Sequence, residues 1–282
     1  MLVNLVHLAQ AYKTNLENPL TDPKIVAQIA AREAGKLILE KLGKSKIDYK
    51  SAFNLVTDAD KASEAKIIEI ISSEFPDDQM LAEESGDSLG GKGQNGRRWL
   101  IDPIDGTTNY AHAYPFFCIS IALVENGRRT LGVVYNPVNS ELFWAEPGKG
   151  AWLNDNKIHV SKVAKLEESL LATGFPPNSA KSIENNMEQF KHLTGVSHGV
   201  RRDGAAALDL CYVACGRLDG FWEKNLGAWD IGAGSLIVEE AGGRVSDLNN
   251  SSLDLTKGNI LATNYLIHDE VIAALQKIKI AA

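Results

Sequence analysis

The sequence predicts a mixed α and β (α+β) fold of stacked layers in one continuous unit. The apolar period switches repeatedly between 3.6 and 2 along the chain, and no Pro/Gly/Ser linker, internal repeat or low-complexity stretch interrupts it. At 282 residues, the chain suffices for one large domain or two intimate ones with a sizeable core. The expected organisation is a single domain over 1–282, residues 1–21 forming an N-terminal extension.

Each element follows from local pattern. Ile25, Ile29, Ala30, Ala34, Leu37 and Ile38 recur at helical spacing within 22–42, with Asp22 as N-cap, Pro23 at the first helical position and Gly43 past the end. Residues 47–57 read as a hairpin-like strand pair. Ala62, Ala65, Ile67, Ile68 and Ile71 restore a helix over 60–74, closed by Pro76 and two aspartates. Gln79–Glu83 and Arg98–Ile101 are short apolar runs expected as buried strands ending in carboxylates, with a Gly-rich loop over 85–96 between them. From Phe116 to Trp144 three strands alternate with turns at Glu125-Asn126-Gly127 and Pro137-Val138-Asn139, which predicts an antiparallel meander. The second half alternates strand 170–173, helix 181–193, a strand through 201 and an Ala-rich helix 204–215. A strand near 218–223, helix 229–241, a strand near 260–263 and a helix from about His268 complete it.

Composition excludes several classes. Hydrophobic residues make up 44% and charged residues 23%, as in ordinary globular proteins and unlike disordered or collagenous chains. The net charge of −7, without a long basic run, argues against nucleic acid or an anionic membrane as the main partner, and no run of 18 apolar residues occurs. MLVNLVHLAQ lacks the marks of a secretory signal, so a cytoplasmic location is expected. Cys118, Cys211 and Cys215 form an odd set without metal-type spacing to histidine, which predicts reduced thiols and assigns them no chemistry. An acidic chain serving an anionic ligand needs metal cations.

The chemistry concentrates between Trp99 and Asn109, at the passage from a strand to a helix. Asp102 and Asp105 stand three apart with Pro103 stiffening the backbone between them, a pairing that can converge on hard divalent cations. Gly106, Thr107 and Thr108 then open a helix whose free N–H groups favour phosphate. The same residues are compatible with a plain D-P-x-D-G turn in which the acids cap the backbone. Two further acidic clusters tip the balance: Glu83-Glu84 at another strand end, and Asp230 within Ala228–Gly234. Asp230 alone also reads as an N-cap beside a core tryptophan.

Taken together, these motifs resemble the inositol monophosphatase family of magnesium-dependent, lithium-sensitive sugar-phosphate phosphatases. The family signatures are an E-E ending a strand, D-P-[IL]-D-G-T and W-D-x-[AG]-[AG]-G, and all three occur here in that order. Leu55 to Asp60, Gly132 to Tyr135, Gly148 to Ala151, Arg201 to Ala206 and Val238 to Gly243 agree as well, so the likeness spans nearly the whole chain. It implies a layered α-β-α-β-α sandwich and hydrolysis of inositol monophosphate, or a related small polyol or sugar phosphate, by attack of a metal-activated water. Two or three Mg²⁺ ions and a homodimer are implied with it.

Carried over by position, Glu83, Asp102, Asp105, Asp230 and the main-chain carbonyl of Ile104 resemble the metal ligands. Thr107 matches the threonine that orients the attacking water and Asp60 its paired aspartate, with Asp58 as a competitor; Glu83 belongs to the same catalytic set. Asp105, Gly106, Thr107, Gly204, Ala205, Ala206 and Glu223 match substrate-binding positions, Glu223 reading substrate hydroxyls. Ala228 and Gly232 depart from the family's usual residues around W-D. Asp203, where a neutral residue is usual, is expected to repel a second phosphate. Rival readings are fructose-1,6-bisphosphatase, histidinol phosphatase or 3′-phosphoadenosine 5′-phosphate phosphatase activity on the same fold, or a non-catalytic regulatory or assembly protein retaining it.

Overall fold

A computed structural model describes residues 21–51, 54–87, 95–175 and 185–277 of the chain. Its first helix, α1 (Pro23–Lys41), starts where Asp22 accepts a hydrogen bond from the Lys24 amide at 2.9 Å. A two-stranded ribbon, β1 (Ile47–Ser51) with β2 (Asn54–Thr57), leads into α2 (Asp58–Glu74). Then come β3 (Gln79–Ala82), β4 (Gly86–Asp87), β5 (Arg97–Asp105) and the single-turn helix α3 (Thr107–Ala111). The expected meander is β6 (Cys118–Glu125), β7 (Arg128–Asn136) and β8 (Glu141–Ala145), extended by β9 (Ala151–Leu153) and β10 (Asn156–Ile158).

These strands form one eight-stranded sheet in the order β10-β9-β8-β7-β6-β5-β3-β4, antiparallel except for the β3–β5 pair. The second half supplies β11 (Leu170–Thr173), α4 (Met187–Val196), β12 (Gly199–Arg201), α5 (Ala206–Ala214) and β13 (Gly220–Glu223). It ends with α6 (Ala228–Glu240), β14 (Arg244–Ser246), β15 (Ile260–Thr263) and α7 (His268–Gln276). Its strands make a five-stranded sheet in the order β12-β11-β13-β15-β14.

Three apolar clusters define the layers. One packs α1 and α2 on the outer face of the large sheet, a second fills the space between the sheets around α5 and α6, and a third joins the small sheet to α4 and α7. The result is the expected α-β-α-β-α sandwich. Helix α6 has no polar face to spare: Ile231 through Val238 are all buried, because both sheets cover it.

Several boundaries differ from expectation. Helix α4 begins at Met187 because the Asn186 side chain is drawn into the small sheet, donating to Thr173 Oγ1 at 2.6 Å and accepting from Trp222 Nε1 at 2.8 Å; residues 181–184 of the expected helix lie outside those described. Strand β5 continues to Asp105 instead of stopping at Ile101. The strands β4, β9, β10 and β14, two or three residues each, are too short to show a period.

Close approach of α6 to the large sheet depends on Gly132 in β7, where a Cβ would meet the Ala233 carbonyl oxygen at 2.7 Å and its Cα at 3.1 Å. Backbone atoms on both sides leave little room to yield. Gly132→Val is therefore expected to destabilise the fold by about 1–3 kcal/mol through overpacking, read as a lower urea midpoint at unchanged slope. A wild-type midpoint would show that this contact does not hold α6 in place.

Candidate active site

In a regular strand, residues three apart point to opposite faces, so Asp102 and Asp105 on an ideal β5 could not converge. The pairing with β6 resolves this. Asp102 lies opposite Ser120 and Asp105 opposite Cys118, so β5 carries one residue more than its partner over this stretch. This bulge coincides with Pro103, which has no N–H to give to a ladder, and the extra residue re-aims Asp105. Ser63 of α2 holds the bulge by donating to the Pro103 carbonyl at 2.8 Å.

The bulge brings Asp102 and Asp105 together with Asp230, each offering an oxygen within 4.8 Å of the others. A backbone amide tethers every one of them. Asp102 accepts from Ile104 N at 3.0 Å, Asp230 from Gly227 N at 2.6 Å, and Asp105 from Ala206 N and Ala207 N at 3.2 and 2.7 Å. Asp230 is thus the third residue of α6 and not its N-cap, and its helix turn is tied to the sheet by Ser120 Oγ donating to the Trp229 carbonyl. The buried Cys118 thiol donates to Asp105 at 3.6 Å, a contact without a sequence signal.

Burial and mutual repulsion push these acids upward. Asp102 is held well above the usual carboxylate range by burial and then by the charges of Glu83, Asp105 and Asp230. Burial raises Asp105 to about 6 against its hydrogen bonds to Ala207, Cys118 and Ala206, while burial and the Asp105 and Glu83 charges raise Asp230 to about 8. Such a donor set, all oxygen and overloaded with negative charge, fits hard divalent cations. Glu83, at the end of β3, acts on Asp102 and Asp230 through its charge but stands outside the 4.8 Å grouping. The Ile104 carbonyl accepts from Thr107 Oγ1 at 3.1 Å.

The same Thr107 hydroxyl stands 3.0 Å from Asp60 Oδ1, so its single proton goes to one of these two acceptors. The second Asp60 oxygen accepts from Thr57 N and Thr57 Oγ1 at 2.7 and 2.6 Å, while Thr57 caps α2, so a capping box fixes Asp60 in a buried position. Its competitor Asp58 is exposed and turned to Lys41 Nζ and Lys46 N at 2.7 and 2.8 Å. Gly106 adopts a left-handed φ of 92°, and a Cβ there would lie 3.0 Å from the Phe116 carbonyl and 3.2 Å from Gly204 O. The helix it opens has only five residues, so its dipole is smaller than expected for a phosphate site.

Asp105, Gly106, Thr107, Gly204, Ala206, Glu223 and Asp230 share a cleft of about 190 Å³. Ala205 is buried behind it, its side chain filling the space beside Gly106. Glu223 is buried at the end of β13, against the α-carbon of Gly174, and burial with the Asp230 charge raises it to about 8. Asp203 departs from expectation. It is absent from the cleft lining, Arg201 and Arg202 act against its charge, and Arg202 lines the cleft in its place. Phe175, Arg202, Asp209 and Leu226 were missed as cleft residues; the acid within the apolar run Ala205–Leu210 was the one available signal.

Metal-dependent hydrolysis of a phosphate monoester is the chemistry that this fold and this trio of acids define. The chain belongs to the inositol monophosphatase family, whose model matches residues 22–280. It is 50% identical over 252 residues to the inositol-1-monophosphatase of Synechocystis, covering 89% of this chain and 87% of that one. The Nus factor SuhB of Pseudomonas aeruginosa is 42% identical over 257 residues, covering 89% and 94%. The solved inositol monophosphatase of Anabaena superposes with a TM-score of 0.83 at 45% identity, over 92% of this chain and 96% of that one.

The raised acids set a pH dependence. A carboxyl whose folded pKa exceeds its unfolded value stabilises the fold below the unfolded pKa near 4, and that stability is lost as pH rises through the folded values of about 6 and 8. Metal-free protein is therefore expected to melt lower at pH 8.5 than at pH 6. Because cations bind the ionised acids, the rise in Tm on adding Mg²⁺ should be larger at pH 8.5. A Mg²⁺-induced rise independent of pH would contradict this electrostatic account.

Proposed function

We propose that the protein is a Mg²⁺-dependent phosphomonoesterase acting on inositol monophosphate or a related small polyol or sugar phosphate. The convergence of Asp102 with Asp105 and Asp230, the last two lining the cleft that holds Thr107 and Glu223, carries this reading. With Glu83 they bring a charge of about −4, which two divalent ions offset, so two or three Mg²⁺ ions are the number proposed. Bound there, the ions supply positive charge that polarises the phosphate oxygens, acidifies a water and offsets the leaving alkoxide.

The chain's own residues do the positioning. Thr107 gives its proton to Asp60 or Ile104 O, which leaves its lone pairs to accept a hydrogen bond from the attacking water. The α5 amides of Ala206 and Ala207 hold Asp105 in register beside the phosphate position. Glu223, pinned against Gly174, faces the part of the cleft where the alcohol moiety would lie and reads its hydroxyls. A cytoplasmic homodimer inhibited by Li⁺ belongs to the same reading, as does a single domain beginning near residue 22, where the family match begins. The name Nus factor borne by the Pseudomonas relative favours a second, regulatory role, while the complete acid set favours catalysis.

Phosphate release from inositol, fructose, histidinol and nucleotide phosphates with Mg²⁺ tests the reading. Inositol monophosphate should be the best substrate, and no release from any of them would sink it. Asp102→Asn should lower kcat by orders of magnitude with the fold retained. Thr107→Ala should lower kcat about 100-fold or more with little change in KM, since it acts on the water and not on substrate affinity; a pure KM effect would contradict that role.

A further inference from the structure

Asp209 lies on the first turn of α5, in the run Ala205-Ala206-Ala207-Leu208-Asp209-Leu210 whose other members are all buried and apolar. It is only 1% exposed, and its Oδ1 makes no hydrogen bond. A buried carboxyl oxygen without a partner forfeits its solvation, so natural folds keep one only where something else compensates. The run around it is apolar on both sides, so nothing in the local packing calls for a carboxyl here.

The position of Asp209 supplies a reason. Asp209 lines the same cleft as Glu223, Arg202 and Gly174. Asp203, Asp105 and Glu223 are its acidic neighbours, and Arg202 is the cation whose charge reaches it; burial foremost, then these acids, hold it well above the usual carboxylate range. Besides Asp105 and Asp230, two carboxyls thus border the cavity from different elements, Glu223 from β13 and Asp209 from α5. Carboxyl oxygens accept from alcohols, and a protonated carboxyl also donates.

We propose that Asp209 is a second specificity residue, binding a hydroxyl of the substrate's polyol moiety beside the one that Glu223 reads. This rests on the reading of the substrate as a polyol phosphate and deepens it. The occupant is an alcohol carrying at least two ring hydroxyls near the phosphate ester. A substrate without them leaves Oδ1 unpaired and forgoes the interaction, so Asp209 contributes discrimination and not turnover chemistry.

The test compares kcat/KM for myo-inositol 1-phosphate and para-nitrophenyl phosphate in wild type, Asp209→Leu and Asp209→Asn, together with the Tm of each. In Asp209→Leu the preference for the inositol ester is expected to fall about 10-fold with the fold retained, because the side chain can no longer accept a hydrogen bond. Asp209→Asn keeps shape and hydrogen-bonding capacity and should lose less of the preference. If wild type prefers the inositol ester and Asp209→Leu keeps that preference, this inference is overturned while the polyol reading stands. A wild type without preference overturns both. If Asp209→Leu melts well below wild type and Asp209→Asn retains the full preference, Asp209 is a structural residue and the inference is again overturned.

Discussion

The constraint on which the rest of this structure depends is the crowding of like charge among Asp102, Asp105 and Asp230. Three carboxylates do not stay within 4.8 Å of one another in a largely buried place unless the backbone holds them there. The chain uses fixed main-chain donors for this, one amide each for Asp102 and Asp230 and two for Asp105. Those donors do not outweigh burial and the neighbouring charges, which together keep all three acids raised. A site held partly strained in this way is preorganised for cations, since little rearrangement is needed when positive charge arrives.

The layered fold follows from the same need. Asp102 and Asp105 belong to the large sheet, Asp230 to the helix between the sheets, and Glu223 to the small sheet. No single layer could present all four. The middle layer of α5 and α6 is what unites them, and its small residues permit the approach: Ala206 and Ala207 place amides on Asp105, and Gly132 admits the backbone of Ala233. The cleft is the place where the two sheets and this helical layer meet.

How much of this was legible depended on whether the signal was local. The long helices α1 and α2, the meander and the order of strands and helices in the second half followed from period and punctuation, because tertiary packing there reinforces local preference. The acids of D-P-I-D and W-D were legible as a cluster from their motifs. Their convergence was expected from Pro103 and the motifs, but the means was not legible: it hangs on a bulge set by pairing with β6, and parity alone would have separated Asp102 from Asp105. Asp203 and Arg202 show the same limit: adjacent residues, of which Arg202 lines the cleft and Asp203 does not. Asp209 was overlooked because an Ala-rich helix reads as packing, although a lone acid inside it has no packing rationale.

The cleft has two electrostatic ends, and they are coupled. At one end carboxylates demand cations; at the other Glu223 and Asp209 have no carboxylate-sized share of positive charge beyond Arg202. After burial, the largest influence raising Glu223 to about 8 is the charge of Asp230. Offsetting that charge with a cation withdraws the influence, so Glu223 ionises more readily once the acid trio is occupied. An ionised Glu223 is a stronger acceptor for substrate hydroxyls than a neutral one. On the proposed reading, filling the cation end therefore strengthens the grip of the hydroxyl end, and the affinities for cation and substrate are linked through one pair of acids, Asp230 and Glu223, on adjoining layers of the fold.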